Sequence, residues 1–341
     1  MLPSVAHPSL ARCQGPPYAR WFAACAMFCF LVFSGAADSP PRSPISALAF
    51  APDNKSLLAA SGSRLMHRAV PDFASLGDLS PGLKRCSCVA FHPAGRWLAV
   101  GGGTPGSTGA VAILEWPSGK RVASLGGFDD IVMAAMFDPS GGVMVVTSAD
   151  GSARLWAVDV AAKPAEGFID LRGHTGPVLA AAFSPGGDRL VTAGEDRSLR
   201  VWGTKDGKLE RILSHHTDRV NTLVTLSTPQ GGSGPSVPWM CASGADDRTV
   251  RIWQPSIGRM VRIIRRHEGS VLSLGASSGV EGLYSGSTEG VVRKLSPASD
   301  VVSGEWQESK DWIQAVRISS DGRWLATGDA AGQIRLRELP R

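Results

Sequence analysis

A short motif recurs along this chain and restricts its fold more than any other feature. Each copy closes an apolar segment with a Phe and continues into a turn of the form Phe-x-Pro. The phenylalanines are Phe50, Phe91, Phe137 and Phe183, spaced by 41, 46 and 46 residues. A repeat of this length predicts small structural units that cannot bury their own apolar faces and therefore pack against their neighbours.

A second motif follows each Phe after about twenty residues. It reads DGSARLW from Asp150, DRSLRVW from Asp196 and DRTVRIW from Asp247, with weaker copies at Glu289 and Ala331. Between these landmarks, short apolar or alternating segments end at Gly, Pro or Asp, which is typical of β-strands. Four short strands in a period of about 40 to 50 residues form one propeller blade.

The repeats therefore predict an all-β fold, a seven-bladed β-propeller with four-stranded antiparallel blades, over residues 45–341. The predicted first strands begin near Ile45, Cys86, Ile131, Val178, Val220, Val271 and Ile313.

These residues resemble the WD40 repeat family. That family has Gly-His before a blade and Trp-Asp at the end of its third strand. Gly173-His174 matches the first pair, and His216 and His267 stand at the same point of the next two blades. The matching tryptophans are Trp202 and Trp253, although Gly203 and Gln254 replace the following Asp. The resemblance implies a WD40 propeller, a fold that more often binds partners than catalyses reactions.

The resemblance also implies a buried hydrogen-bonded set of His, Ser or Thr, Asp and Trp within a blade. The set maps onto His174, Thr192, Asp196 and Trp202, then onto His216, Ser243, Asp247 and Trp253, and in part onto His267, Ser285 and Glu289, with Leu295 in place of Trp. A Ser, His and Asp together also suggest a hydrolase triad. We favour the structural interpretation because the set repeats in successive blades and no Gly-x-Ser-x-Gly elbow presents a nucleophile.

In the family, the loops before each blade and the turns between its second and third strands share one face, which usually holds the partner. Arg and Trp are the residue types that most often anchor interfaces. The candidate partner-binding residues are Arg197, Asp218, Arg219, Asp246, Arg248, Arg266, Glu268 and Trp312. Residues 101–109, a Gly-rich segment without the Gly-Lys-Ser/Thr ending of a phosphate loop, are predicted to form a wide hairpin loop on this face, and residues 227–238 a flexible surface loop.

The N-terminus has the pattern of a secretory signal. Arg12 and Arg20 precede thirteen consecutive apolar residues, 21–33, and small residues follow. This pattern predicts a signal peptide at 1–37, cleaved after Ala36 or Ala37, or else an uncleaved anchor. Residues 38–44 are then a Pro-rich linker or a closing segment. The expected protein is an exported, extracytoplasmic propeller of bacterial type.

Ring closure conflicts with this signal. The last blade ends with its third strand, so blade spacing would place a fourth strand at residues 30–36, inside the proposed signal. If these residues are structural, the protein is instead a cytosolic WD40 regulator. We favour the signal because thirteen apolar residues without alternation are unlike a half-exposed outer strand.

Composition reduces the number of function classes that remain possible. The net charge is +5 and the basic residues are scattered, which argues against nucleic acid as a partner. Cys86, Cys88 and Cys241 remain after the signal, and an odd count argues against a disulfide framework. No metal or cofactor is expected. The sequence thus predicts a monomeric, non-catalytic scaffold for a protein partner; the alternative is an exported propeller enzyme of quinoprotein, lactonase or hydrolase type.

Overall fold

The computed structural model describes residues 43–159, 161, 163–226, 239–276 and 282–340. The chain divides between Pro41 and Arg42, and the second unit holds all the strands described. These residues form seven antiparallel sheets, each built from consecutive strands. The seven-bladed propeller is therefore confirmed. The predicted signal (1–37) and closing strand (30–36) lie outside the described residues.

The strands of the first three blades run in chain order. Blade 1 contains β1 (Ile45–Phe50), β2 (Ser56–Ser61), β3 (Arg64–Ala69) and β4 (Ser75–Leu79). Blade 2 contains β5 (Cys86–Phe91), β6 (Trp97–Thr104), β7 (Thr108–Glu115) and β8 (Arg121–Phe128). Blade 3 contains β9 (Val132–Phe137), β10 (Val143–Ser148), β11 (Ala153–Val158) and β12 (Pro164–Asp170).

The remaining four blades follow the same plan. Blade 4 contains β13 (Val178–Phe183), β14 (Arg189–Gly194), β15 (Leu199–Gly203) and β16 (Leu209–Leu213). Blade 5 contains β17 (Val220–Leu226), β18 (Met240–Ala245), β19 (Val250–Gln254) and β20 (Arg259–Ile264). Blade 6 contains β21 (Val271–Ala276), β22 (Leu283–Ser287), β23 (Val291–Leu295) and β24 (Val302–Gln307). Blade 7 contains β25 (Ile313–Ile318), β26 (Trp324–Asp329) and β27 (Ile334–Glu338).

The predicted starts of the first strands agree with the structure, except that β9 begins at Val132 rather than Ile131. Blade 7 departs from the four-stranded expectation, because in the described part of the chain its sheet has three strands. Its third strand, β27, is also more exposed than third strands that carry a fourth, such as β19.

The apolar core lies between the blades rather than within any one of them. Each core cluster joins apolar residues of two neighbouring blades, as where Val191 of blade 4 packs in one cluster with Trp253 of blade 5. One such cluster closes the ring, because Ile45 and Leu48 of blade 1 pack with Ala315 and Ala326 of blade 7. Two-sided burial of this kind explains why the middle strands are continuously apolar.

The prediction for residues 101–109 was wrong. These residues extend β6 and β7, which pair as far as Thr104 and Thr108, so the turn is only Pro105 to Ser107. The glycines serve close backbone approach: a Cβ on Gly102 would collide with the carbonyl of Arg85, and one on Gly109 with the carbonyl of Asp130. The predicted loop at 227–238 lies outside the described residues.

Candidate functional site: the loop face of blades 4 to 6

Two sets of loops lie together at one end of the ring, which we call the loop face. It consists of the loops that precede each first strand and the turns between the second and third strands. Hydrogen bonds join the two sets: the Asp129 amide donates to the Asp150 carboxylate at 2.9 Å, and the Glu268 amide donates to Glu289 at 3.0 Å. These bonds hold the two sets of loops together in blades 3 and 6.

In blade 4 a chain of side chains runs from the loop face into the core. His174 Nδ1 lies 2.9 Å from the carboxylate of Asp196, and its Nε2 lies 2.8 Å from Thr192 Oγ1. The indole N–H of Trp202 donates to the same hydroxyl at 2.8 Å. All four residues of the predicted set are brought together.

Blade 5 repeats this arrangement with Ser in place of Thr. His216 lies 2.7 Å from Asp247 through Nδ1 and 2.7 Å from Ser243 Oγ through Nε2. Trp253 Nε1 donates to Ser243 Oγ at 2.8 Å. Thr249 also donates its hydroxyl to Asp247, at 2.6 Å.

A neutral histidine satisfies every contact in this hydrogen-bond network. The Ser243 hydroxyl accepts from Trp253, so its own hydrogen is free to donate to Nε2 of His216, whose Nδ1–H donates to Asp247. Burial lowers the pKa of His216, consistent with the neutral form. Burial alone would raise the pKa of Asp247, but hydrogen bonds from His216 and Thr249 hold that pKa well below its ordinary value.

Blade 6 contains only part of the set, and an arginine completes it. His267 Nε2 lies 2.9 Å from Ser285 Oγ, but Leu295 supplies no indole N–H. Arg293 approaches Nδ1 of His267 to 2.8 Å and also donates to both carboxylate oxygens of Glu289, at 3.1 and 2.9 Å. Burial and the Arg293 charge lower the pKa of His267 to about 4.

The hydroxyl groups of these networks are buried and hydrogen-bonded, which favours a structural role. Thr192, Ser243 and Ser285 are each 0% exposed, so their hydroxyls cannot reach a substrate. Every hydroxyl is already engaged with its histidine. A satisfied buried network of this kind fixes the loop on the blade beneath it.

Sequence reasoning missed the arginines of the third strands. Arg200, Arg251 and Arg293 each stand four residues after the turn acid and approach it to 3.7, 3.2 and 2.9 Å. The signal was present in the recurring Asp-x3-Arg spacing of the second motif. In blades 4 and 5 the arginine approaches the same carboxylate oxygen as the histidine, so each arginine adds a cation to the network.

Five of the predicted partner-binding residues are exposed on the loop face. Arg197, Asp218, Arg248 and Glu268 are exposed, and Trp312 is 36% exposed.

The structure places the other three differently. Arg219 and Asp246 pair with each other at 2.8 Å, with only 20% and 10% of their side chains exposed. Asp246 also accepts a hydrogen bond from Asn221, which donates in turn to the carbonyl of Val271. Asn221 therefore connects this pair in blade 5 to the first strand of blade 6. Arg266 turns towards the rim, where its Nε donates to the carbonyl of Asp300 at 3.1 Å.

Arg197 and Arg248 occupy a strained backbone conformation. Their φ angles are 65° and 64°, in the left-handed region that side chains with a Cβ rarely adopt. The equivalent turns of blades 3, 6 and 7 carry glycine there, namely Gly151, Gly290 and Gly332. Two successive blades thus present an exposed arginine at a position where glycine relieves the strain.

The described residues contain no group of three or more His, Cys, Asp or Glu placed to hold a metal ion. Within the same ranges, no helix has the length and apolar character needed to cross a bilayer.

Comparison with known proteins is consistent with this architecture. The profile described as "WD domain, G-beta repeat" matches residues 81–104, 119–157, 168–203, 207–254 and 301–337. The match leaves most of blades 1 and 6 uncovered.

Individual relatives are longer than this chain. Protein tipD of Dictyostelium discoideum is 28% identical over 254 residues, which cover 72% of this chain and 38% of that protein. Periodic tryptophan protein 2 of Saccharomyces cerevisiae is 31% identical over 267 residues, covering 78% of this chain and 27% of that protein. The chain thus spans well under half the length of both relatives.

Proposed function

Because the chain belongs to the WD40 repeat family, we propose that it is a non-catalytic scaffold that holds a protein partner on its loop face. The proposed contact surface consists of the exposed residues of this face, Arg197, Asp218, Arg248, Glu268 and Trp312. Both charge signs are present with an exposed indole, a composition suited to a mixed polar and aromatic protein interface.

The strained arginines carry this proposal. A left-handed conformation costs a residue with a Cβ on the order of 1 kcal/mol, which glycine avoids. Arg197 and Arg248 adopt this conformation at φ 65° and 64° while their side chains remain exposed. Strain of this kind persists where a side chain serves a function that glycine cannot perform. Recognition of an acidic group on a partner is the function that two exposed guanidinium groups suit best.

The test is the double variant Arg197→Gly with Arg248→Gly. We expect its stability to change by less than about 0.5 kcal/mol, because relief of strain offsets the extra freedom of glycine in the unfolded chain. We expect cross-linking in the native cell, followed by quantitative mass spectrometry, to recover the partner at least about tenfold less efficiently. Urea unfolding checks the stability in parallel.

A matched control lies in a turn at the other end of blade 4. Lys205 is exposed there, between the third and fourth strands, and Lys205→Ala removes a similar charge. This control should leave recovery of the partner unchanged. Equal recovery by the glycine double variant and the wild type would contradict the proposal.

We also propose that the protein is exported, on the basis of the apolar segment 21–33 and the arginines before it. The relatives reported above come from eukaryotes and so lend no support to a bacterial origin. Determining the first residue of the native protein in soluble and membrane fractions tests export. A start at Ala37 or Asp38 in an exported fraction would support cleavage, whereas an intact N-terminus in the cytosol would exclude it.

A further inference from the structure

The seven first strands enclose a central channel of about 560 Å³. Small or apolar side chains line most of it, including Ala49, Ala90, Met136 and Leu179. Hydroxyl and amide side chains in the wall bind neighbouring strands: Ser46 donates to the carbonyl of Cys86 at 2.7 Å. The wall is therefore largely uncharged, and polar side chains such as Ser46 already have hydrogen-bond partners in it.

Arg317 is the exception. It is the one charged residue among the described residues that line the channel. It occupies the fifth position of β25, and the same position of the other first strands holds Ala49, Ala90, Met136, Ala182, Val224 and Gly275. The repeat thus requires no charge at this point, because the other six blades form the same strand without one.

The guanidinium is anchored but carries no counter-ion. Arg317 donates to the carbonyls of Leu274 and Val316, at 3.2 and 2.9 Å. Among the described residues no Asp or Glu lies within ion-pair distance of it. The side chain is exposed to the channel, and desolvation by the surrounding protein lowers its pKa.

The channel also carries uncharged polar side chains at this end. Asn54 and Ser320 line the same cavity and bind each other through Nδ2 and Oγ at 2.8 Å. A cation enclosed by protein of low polarity attracts an anion more strongly than it would in water. The planar guanidinium matches a carboxylate in particular.

We propose that the central channel binds a small organic carboxylate, with its charged group on Arg317 and its apolar body against the alanine, methionine and isoleucine side chains of the wall. Ala90, Met136 and Ile318 supply such a surface. Enclosed sites with apolar walls and a single placed charge are typical of small-molecule pockets. The site is separate from the loop face and does not depend on the scaffold proposal.

Titration calorimetry of the full chain with octanoate tests the proposal, with octanamide as the neutral analogue and inorganic phosphate as the anion without an apolar body. We expect saturable binding of one octanoate per chain at millimolar concentration or below. Octanamide and phosphate should bind at least about tenfold more weakly, because each lacks one of the two features.

The decisive variant is Arg317→Met, which copies the residue that blade 3 carries at this position. It should weaken octanoate at least about tenfold and leave octanamide unchanged. Arg96→Met is the matched control, because Arg96 is an exposed arginine in the turn after β5 and does not line the channel. It should change nothing.

Three results would overturn the proposal. The first is octanoate binding that Arg317→Met leaves unchanged. The second is the absence of saturable octanoate binding at millimolar concentration. The third is Arg317-dependent binding of phosphate without octanoate, since the ligand would then be an inorganic anion rather than an apolar carboxylate.

Discussion

The His–hydroxyl hydrogen bonds of blades 5 and 6 run in opposite directions. In blade 5, the hydroxyl of Ser243 accepts from Trp253 at 2.8 Å and donates towards His216, which donates to Asp247. In blade 6, Nδ1 of His267 lies 2.8 Å from Arg293 and 3.4 Å from the Glu289 carboxylate. Because a guanidinium can only donate, the closer contact makes Nδ1 the acceptor and leaves Nε2–H to donate to Ser285.

The direction of hydrogen bonding in each polar set follows from the residue at its inner end, Trp253 in blade 5 and Leu295 in blade 6. Ser285 needs no hydrogen for its histidine, and its hydroxyl instead points to the carbonyl of Arg293, at 3.5 Å. Leu295 makes this possible because it places no indole N–H against the hydroxyl. The comparison teaches that His, Ser and acid at the right spacing can form two networks with opposite proton direction.

The largest expected effect comes from replacing Trp253 of blade 5 with leucine, the residue that blade 6 carries at this position as Leu295. Trp253 is 0% exposed, so Trp253→Leu creates a cavity and leaves Ser243 without its donor. We expect a loss of about 3 kcal/mol of unfolding free energy, measured by urea denaturation. Trp306→Leu in blade 6 serves as the control, because Trp306 is only half-buried. Comparable losses in the two variants would show that the network adds nothing to blade 5.

The next effect is a pH dependence centred on blade 6. The pKa of His267 falls from 6.5 to about 4 on folding, through burial and the Arg293 charge. A base with a lowered pKa stabilises the folded state above pH 6.5 and loses that contribution as the pH falls towards 4. We expect a loss of about 2 kcal/mol across this window, measured by unfolding at several pH values.

The variant His267→Asn should flatten this pH dependence. His216→Asn should flatten it less, because in blade 5 the hydrogen bond and charge of Asp247 oppose the effect of burial on His216. If the unfolding free energy of His267→Asn depends on pH as steeply as that of the wild type, a group other than His267 causes the pH dependence.

A smaller effect separates the two buried serines. Ser243→Ala leaves both the indole N–H of Trp253 and Nε2 of His216 without a hydrogen-bond partner, whereas Ser285→Ala does so only for Nε2 of His267. An unsatisfied buried group costs about 1 to 3 kcal/mol, so we expect about 2 kcal/mol for the first variant and about 1 kcal/mol for the second. Equal losses in chemical denaturation would contradict the difference between the networks.

The last measurement leaves the protein unaltered. Nitrogen-15 NMR of the histidine rings should find the proton on Nδ1 of His216 and on Nε2 of His267 at neutral pH. His174 serves as an internal reference, because its contacts with Asp196 and Thr192 match those of blade 5. The same tautomer in His216 and His267 would refute the reversal.

Much of the fold could be predicted from the sequence, because strand and turn signals are local. The Phe-x-Pro turns and the Asp-to-Trp motif located the first strands within one residue of the structure. The glycines of 101–109 were misread because glycine indicates a loop as readily as a close approach of two backbones, and only the position of the Arg85 carbonyl, just before β5, distinguishes the two.

The candidate site was less accessible to sequence reasoning. The motif placed Arg219 and Asp246 on the loop face, but their pairing at 2.8 Å depends on loops that are separate in sequence. Arg266 likewise turns to the rim because Asp300 of the next blade offers its carbonyl there. Motif spacing does not specify the direction in which an exposed side chain points.

The sequence by itself determined the repeat and the number of blades, because these follow from local periodicity. Its resemblance to the WD40 family located the His, hydroxyl, acid and Trp positions of the polar sets, but not the arginines. Only the tertiary structure decided the proton direction in each set, the strain at Arg197 and Arg248, and the enclosure of Arg317 in the channel. The proton direction and the surroundings of Arg317 depend on side chains that lie apart in sequence and meet only in the folded sheets, and the strain depends on the backbone angle of one turn residue. None of these leaves a period in the sequence.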